Sequence, residues 1–196
     1  MHILNRVASF GFAYLLSVNA ALALDIVSRS AWGANPPVFG MSEQTPKRIT
    51  IHHTGTRQRA EKPITSKLKS LQNFSQSNAK LADGRSKKAW ADVPYHFYID
   101  AVGVIAEGRA VGFMGDTNTN YDPMGHISVV LEGNFDIETP SAKQLAALVE
   151  LLRFISAKHA IEHGEIDMHR TFASTICPGQ NLADQLSTII QQVASE

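Results

Sequence analysis

The sequence predicts an α/β fold, a single domain with a mixed central β-sheet flanked by about three helices. Three observations predict it. The chain has 196 residues, 44 % hydrophobic and 18 % charged, which suffices for one sizeable core. Short β-branched runs are interspersed with segments whose apolar residues recur at helical spacing. Neither an internal repeat nor a low-complexity stretch breaks that pattern.

The elements follow in chain order. Met1 to Arg6 is a short basic start, Val7 to Ala20 is almost wholly apolar, and Ala21-Leu22-Ala23 is a small-x-small cleavage site. Residues 1–23 therefore read as a secretory signal peptide, and 24–196 as the mature domain. The apolar run is too short for a membrane span, so no transmembrane segment is expected in the mature chain. The protein is expected to be exported, to a periplasm or the extracellular space. Ser28 to Pro37 is a turn-rich opening. Arg48 to His53, bounded by Pro46 and Gly55, reads as a strand. Ile64, Leu68, Leu71 and Phe74 recur at helical spacing and predict an amphipathic helix over 63–82, with Pro63 in its first turn. Tyr95–Asp100 and Val104–Glu107 predict a hairpin around Gly103, and Ile127–Glu132 a further strand. Thr139 as N-cap and Pro140 at the first position predict a second helix with Leu145, Leu148, Leu152 and Ile155 on one face. Leu182, Leu186, Ile190 and Val193 mark a third. The polar stretch from Asp116 to Gly125 reads as the rim of a binding site.

Net formal charge is zero, which argues against a nucleic-acid partner. The charge is uneven, however. From Arg57 to Lys88 nine basic residues face two acidic ones, a net of +7 that is either a solvated helix face or an attraction to an anionic polymer or surface.

Cys177 is the only cysteine, eight positions after His169 in a chain expected to be exported. It has no intramolecular partner, and a free thiolate outside the cell is open to oxidation. Coordination to Zn2+ protects it. His169 and a second, distant imidazole would complete two histidines and one thiolate, which leaves a fourth tetrahedral position open, as in a hydrolytic site. His52 is well placed for that role. Its neighbour His53 alternates to the opposite face of the strand, and alternation alone does not choose between them. Thr175, two residues before the cysteine, and Tyr95, at the start of its strand, are placed to reach the same cavity. His126, beside the polar loop, is a candidate lining residue.

The motifs Ser28-Arg-Ser-Ala-Trp-Gly-Ala, Ile51-His-His-Thr, Trp90-Ala-Asp-Val-Pro-Tyr-His-Phe, Glu107-Gly-Arg, Ile127-Ser-Val-Val-Leu-Glu-Gly-Asn-Phe135 and His169-Arg-x5-Cys-Pro-Gly179 occur in that order. Together they resemble the zinc amidase family shared by phage lysozyme-type amidases, bacterial cell-wall amidases and animal peptidoglycan recognition proteins. The resemblance spans nearly all of the mature chain. It implies an N-acetylmuramoyl-L-alanine amidase, a zinc hydrolase that cuts between the lactyl group of N-acetylmuramic acid and L-alanine. It implies His52, His169 and Cys177 as zinc ligands, choosing His52 over His53, with Tyr95 and Thr175 as catalytic residues. It implies substrate contacts at Trp90, where Ala89-Trp90 resembles a Gly-Trp pair favouring meso-diaminopimelate stem peptides. The implied partner is thus peptidoglycan of that type; separately, the protein is expected to be a monomer.

The chain departs from the family's pattern in places. The stretch between His52 and Tyr95 is long for the family. Met114 stands where a histidine is usual, and His126 lies nearby instead. A glutamate that some bacterial relatives use would fall near Val130, and Glu132, of the same strand parity, is the fallback base. The rival reading is a peptidoglycan-binding module without catalysis; such modules lack the cysteine ligand. A toxin-like amidase aimed at competitors is a third reading.

Overall fold

A computed structural model describes residues 24–81 and 84–195, so the expected signal peptide over 1–23 lies outside the described residues. These form eight strands and five α-helices. In chain order they are β1 (Ile26–Val27), β2 (Arg48–His53), α1 (Ile64–Ser75), β3 (Ala79–Lys80), β4 (Ser86–Lys87), β5 (Phe97–Ile99), β6 (Ile105–Glu107), β7 (His126–Leu131), α2 (Ala142–His159), β8 (Ile166–Met168), α3 (His169–Phe172), α4 (Gln180–Ala183) and α5 (Leu186–Ala194). Six strands make one mixed sheet in the order β1-β6-β5-β7-β2-β8, while β3 and β4 pair apart from it. β7, β2 and β8 run parallel, as do β5 and β7, and β6 is antiparallel to β5. Among the described residues no helix is long and apolar enough to cross a membrane.

The period-two pattern divides the sheet's chemistry between its faces. Ile49, Ile51, Phe97, Ile99, Val129 and Leu131 bury one face in the main core, against Leu148, Leu151, Leu152 and Ile155 of α2 and Ile189 and Val193 of α5. The other face carries Tyr98, Ala106 and Val130, packed against Trp32 and against Ile64 and Leu68 of α1. The Trp32 indole donates to the Glu107 carbonyl at 2.7 Å, which ties the opening segment to the edge of this layer.

Several boundaries differ from those the sequence predicts. The first helix ends at Ser75, not at residue 82, and Phe74 is exposed. The chain turns because side chains take over the helix's last carbonyls: Lys87 Nζ donates to the Ser75 carbonyl at 2.9 Å. Ala79–Lys80 of β3, within the predicted helical span, instead pair with Ser86–Lys87 of β4. The second helix is capped by Ser141, two residues after Thr139. Its hydroxyl accepts from the Gln144 amide at 3.2 Å while Gln144 Oε1 accepts from the Ser141 amide at 3.1 Å, a capping box that places Pro140 before the helix. The third helix is two pieces, α4 and α5, with a break at Asp184 and Gln185. β1 and β8, each too short to show a pattern in the sequence, form the two edges of the sheet.

Two of the nine bases in the 57–88 segment are not on the surface. Lys67, on the inner side of α1, is buried and pairs with Glu132 at 2.7 Å and Asp100 at 3.4 Å. Glu132 also accepts from the Ala101 amide at 2.8 Å and the Arg59 amide at 3.1 Å, so the fallback base is committed to holding α1 and its preceding loop against the sheet. Lys87 is likewise buried.

Removing one member of a buried ion cluster leaves the others uncompensated. Lys67→Ala is expected to cost about 3–5 kcal/mol. Lys62→Ala, on the exposed side, is expected to change stability by no more than about 0.5 kcal/mol. Urea unfolding of the two variants measures the contrast, and equal effects would contradict the buried assignment of Lys67.

Candidate functional site

β2 lies between β7 and β8, and its register decides what surrounds its last residues. Ile51 pairs with Met168, so His52 lies level with His169, the residue that follows β8. Their rings lie 4.6 Å apart. After the single turn of α3 the chain folds back and brings Cys177 to the same place: the Arg170 amide donates to the Cys177 carbonyl at 3.0 Å and closes the loop. Gly179 is required for that return. Its φ is +88°, and a Cβ there would lie 2.4 Å from the Phe135 carbonyl carbon.

His52, His169 and Cys177 are all buried, and each offers a possible ligand atom within 4.8 Å of the others. Cys177 Sγ stands 3.8 Å from His52 Nδ1, close to the separation of about 3.5 Å between neighbouring ligands on a tetrahedral zinc. The opposite nitrogen of that ring, Nε2, is buried without a hydrogen-bond partner. Burial, with His169 beside it, holds the His52 imidazole well below its ordinary pKa, and burial lowers His169 to about 4. Both rings are therefore neutral at pH 7, the form that binds a metal. Burial pushes the Cys177 thiol up to about 12, partly offset by the His53 amide, which donates to Sγ at 3.4 Å. Such a thiol ionises when a cation is present to hold the thiolate. The residues thus fit a zinc ion in charge, donor type and spacing.

His53 takes the other direction. Its Nδ1 accepts from the Phe135 amide at 3.3 Å and its ring stands 6.1 Å from that of Phe135, so it is committed to a core neighbour although it also borders the cleft described below. This is the strand alternation that the paired histidines imply.

A cleft of about 180 Å³ opens over the three candidate ligands. Trp90, Pro94, Tyr95, Thr175 and residues 116–119 line it together with His52, His53 and Cys177. Tyr95 enters just ahead of β5, its ring 5.2 Å from that of His52. Gly108 makes this approach possible, since a Cβ there would sit 2.2 Å from the Tyr95 carbonyl oxygen. Burial, with Cys177 and Tyr121 near, raises the Tyr95 phenol, so it is a neutral donor at physiological pH. Thr175 Oγ1 accepts from the Cys177 amide at 3.2 Å, which leaves its own hydrogen free to donate into the cleft. His126 lies beneath the cleft, outside the residues that line it. It bonds Thr50 Oγ1 through Nδ1 at 2.6 Å and packs edge-on against Phe172 and Tyr121.

Three residues at the site were not singled out from the sequence, although the polar 116–125 stretch was expected as a rim. Thr119 Oγ1 meets His169 Nε2 at 2.7 Å, and the Tyr121 ring lies 5.2 Å from the His169 ring. Arg109, within the Glu107-Gly-Arg motif, is buried and clamps both walls. It donates to the Val93 carbonyl at 2.9 Å and the Asp92 carbonyl at 3.1 Å on one side, and to the Met114 carbonyl and the Asp116 carboxylate on the other. Only an Arg fork has enough donors for four such acceptors.

Residues 42–180 match the N-acetylmuramoyl-L-alanine amidase family. Peptidoglycan-recognition protein SC2 of Drosophila simulans is 30% identical over 179 residues, covering 90% of this chain and 92% of that protein. Drosophila peptidoglycan recognition protein SD superposes with a TM-score of 0.71 at 26% identity, over 84% of this chain and 94% of that one. The N-acetylmuramoyl-L-alanine amidase LysC of Clostridium intestinale shares the fold with a TM-score of 0.66 at 22% identity, over 85% of this chain and 97% of that one.

The donor set makes a direct prediction. Zinc should bind at one per chain, and Cys177→Ser should weaken it well beyond the roughly 10–100-fold that loss of a supporting hydrogen bond costs. The far-ultraviolet spectrum should not change. Metal analysis after dialysis against a graded chelator series measures this; undiminished zinc in Cys177→Ser would remove the cysteine from the ligand set.

Proposed function

The chain belongs to the N-acetylmuramoyl-L-alanine amidase family, and on that premise we propose that it is an exported zinc hydrolase that releases stem peptides from peptidoglycan. The observation that carries the reading is the buried trio of His52, His169 and Cys177 at the floor of an open cleft, two neutral imidazoles and a thiol with donor atoms within 4.8 Å. A zinc ion bound there supplies a Lewis acid for the scissile carbonyl and lowers the pKa of a bound water.

The chain's own groups do the remaining work. Tyr95, protonated and beside His52, positions the attacking water and moves its proton. Thr175 donates to the oxyanion, since its acceptor side is already filled by the Cys177 amide. Trp90 forms a wall against which the stem peptide lies, of the meso-diaminopimelate type. His126 acts from beneath, holding the aromatic floor under His169, rather than by touching substrate. The protein works as a monomer in the periplasm or outside the cell.

One observation favours a second reading. Relatives at about 30% identity are named as recognition proteins. In that reading the cleft binds peptidoglycan and leaves it intact.

Mass spectrometry of purified sacculi after incubation separates the two. Hydrolysis yields peptides with a free L-alanine N-terminus and glycan stripped of them, whereas intact sacculi with protein bound support recognition alone. Tyr95→Phe and Thr175→Ala are expected to retain zinc. Loss of an oxyanion donor at Thr175 should lower kcat by about 10²–10³. Full turnover by both variants would overturn the assigned roles, and loss of zinc from either would make that residue structural.

A further inference from the structure

The β3–β4 hairpin is used neither by the zinc site nor by the core. Its strands pair Ala79 with Lys87 and Lys80 with Ser86, and Gly84 at φ +83° helps turn the tip. An open groove of about 830 Å³ runs beside it, lined by Asn78, Lys80, Ser86, Lys87, Lys88 and Ala89 among others. The stretch carries four bases, Lys80, Arg85, Lys87 and Lys88, against Asp83.

The groove and the cleft are neighbours along the chain. Ala89 lines the groove and the next residue, Trp90, lines the cleft. Arg85 Nη1 reaches the carbonyl of Asn118, another cleft residue, at 3.5 Å. The base of the hairpin is fixed beneath Trp90. Lys87 Nζ donates to the carbonyls of Ser75, Ser77 and Lys88 at 2.8–2.9 Å and lies 4.6 Å from the centre of the Trp90 ring. All three of its hydrogens are engaged, so Lys87 contributes charge and orients the indole without bonding a ligand directly. Lys80 and Lys88 are exposed.

We propose that this groove is a second binding subsite, which takes the free carboxylates of the stem peptide on Lys80 and Lys88 while Trp90 forms the step between it and the cleft. The inference rests on the reading of the cleft as a peptidoglycan site and extends it. A peptide leaving the cleft past Trp90 enters a groove whose charge is opposite to its own. Attraction between exposed charges is modest and is screened beyond about 8 Å at physiological salt, so the subsite selects among peptides in contact with it.

The test uses zinc-loaded, full-length mature protein and a stem peptide without sugar, which has no muramoyl amide to cleave. One form bears free carboxylates and the other has them converted to carboxamides. Binding is read from Trp fluorescence and calorimetry. Wild-type protein should prefer the free acid by about three- to tenfold, and the preference should vanish in high salt. Lys80→Glu with Lys88→Glu should remove the preference, leave affinity for the carboxamide unchanged, and leave zinc content and melting temperature unchanged. Lys80→Gln with Lys88→Gln should show the same loss to a smaller degree, and serves if the charge reversal perturbs folding. Equal binding of both forms by wild type, or a preference that survives the substitutions, overturns the subsite alone. Failure of both forms to bind at all overturns it together with the peptidoglycan reading.

Discussion

The parallel pairing of β2 with both β7 and β8 is the constraint on which the candidate site depends. A strand held on both sides cannot slip by one residue without moving Ile49 and Ile51 out of the core and Thr50 into it. With the register fixed, His52 must face the cleft, His53 must face Phe135, and the residue after β8 must arrive beside His52. The hydrophobic core therefore sets the positions of two candidate ligands, though neither belongs to it. The third comes from a loop that can close only because Gly179 admits Phe135.

Buried cations recur around this arrangement, each placed where two segments must be held together. Lys67 joins α1 to the ends of β5 and β7 through Asp100 and Glu132. Arg109 joins the Asp92–Val93 segment to the loop over residues 114–116. Lys87 joins the end of α1 to the hairpin and to the Trp90 ring. A buried charge demands its full set of partners, and with them it defines a geometry that apolar packing alone leaves loose. The cleft thus has walls located by ionic and hydrogen-bonded clamps and a floor located by sheet register.

Hydrolysis and recognition make different demands on such a cleft. Recognition needs the walls. Hydrolysis also needs a metal with one open direction, a proton carrier and an oxyanion donor, and the cleft offers Tyr95 and Thr175 beside the three candidate ligands. The Cys177 thiol stands with two neutral imidazoles at the floor of that cleft, and the three together make a zinc-type donor set rather than a recognition surface.

The sequence by itself determined the fold class, the strands around His52, Phe97 and Val129, and the family, because those depend on local periodicity and on six motifs in order. It also named His52, His169 and Cys177, whose possible ligand atoms the structure brings within 4.8 Å of one another. Tertiary structure alone decided what those segments meet. Lys67 and Lys87 lie in a run of bases that reads as a solvated face, and both are buried because their partners, Glu132, Asp100 and the carbonyls of Ser75 and Ser77, come from other elements or from a turn with no periodic signal. Thr139-Pro140 carries the composition of a helix start, yet Ser141 caps it because only Ser141 has Gln144 three residues on to complete the box. Thr119, Tyr121 and Arg109 reach the site across 50, 48 and 16 residues of chain from His169 and Val93. Spacing along a sequence carries local conformation, whereas contacts at those separations exist only once the sheet has closed.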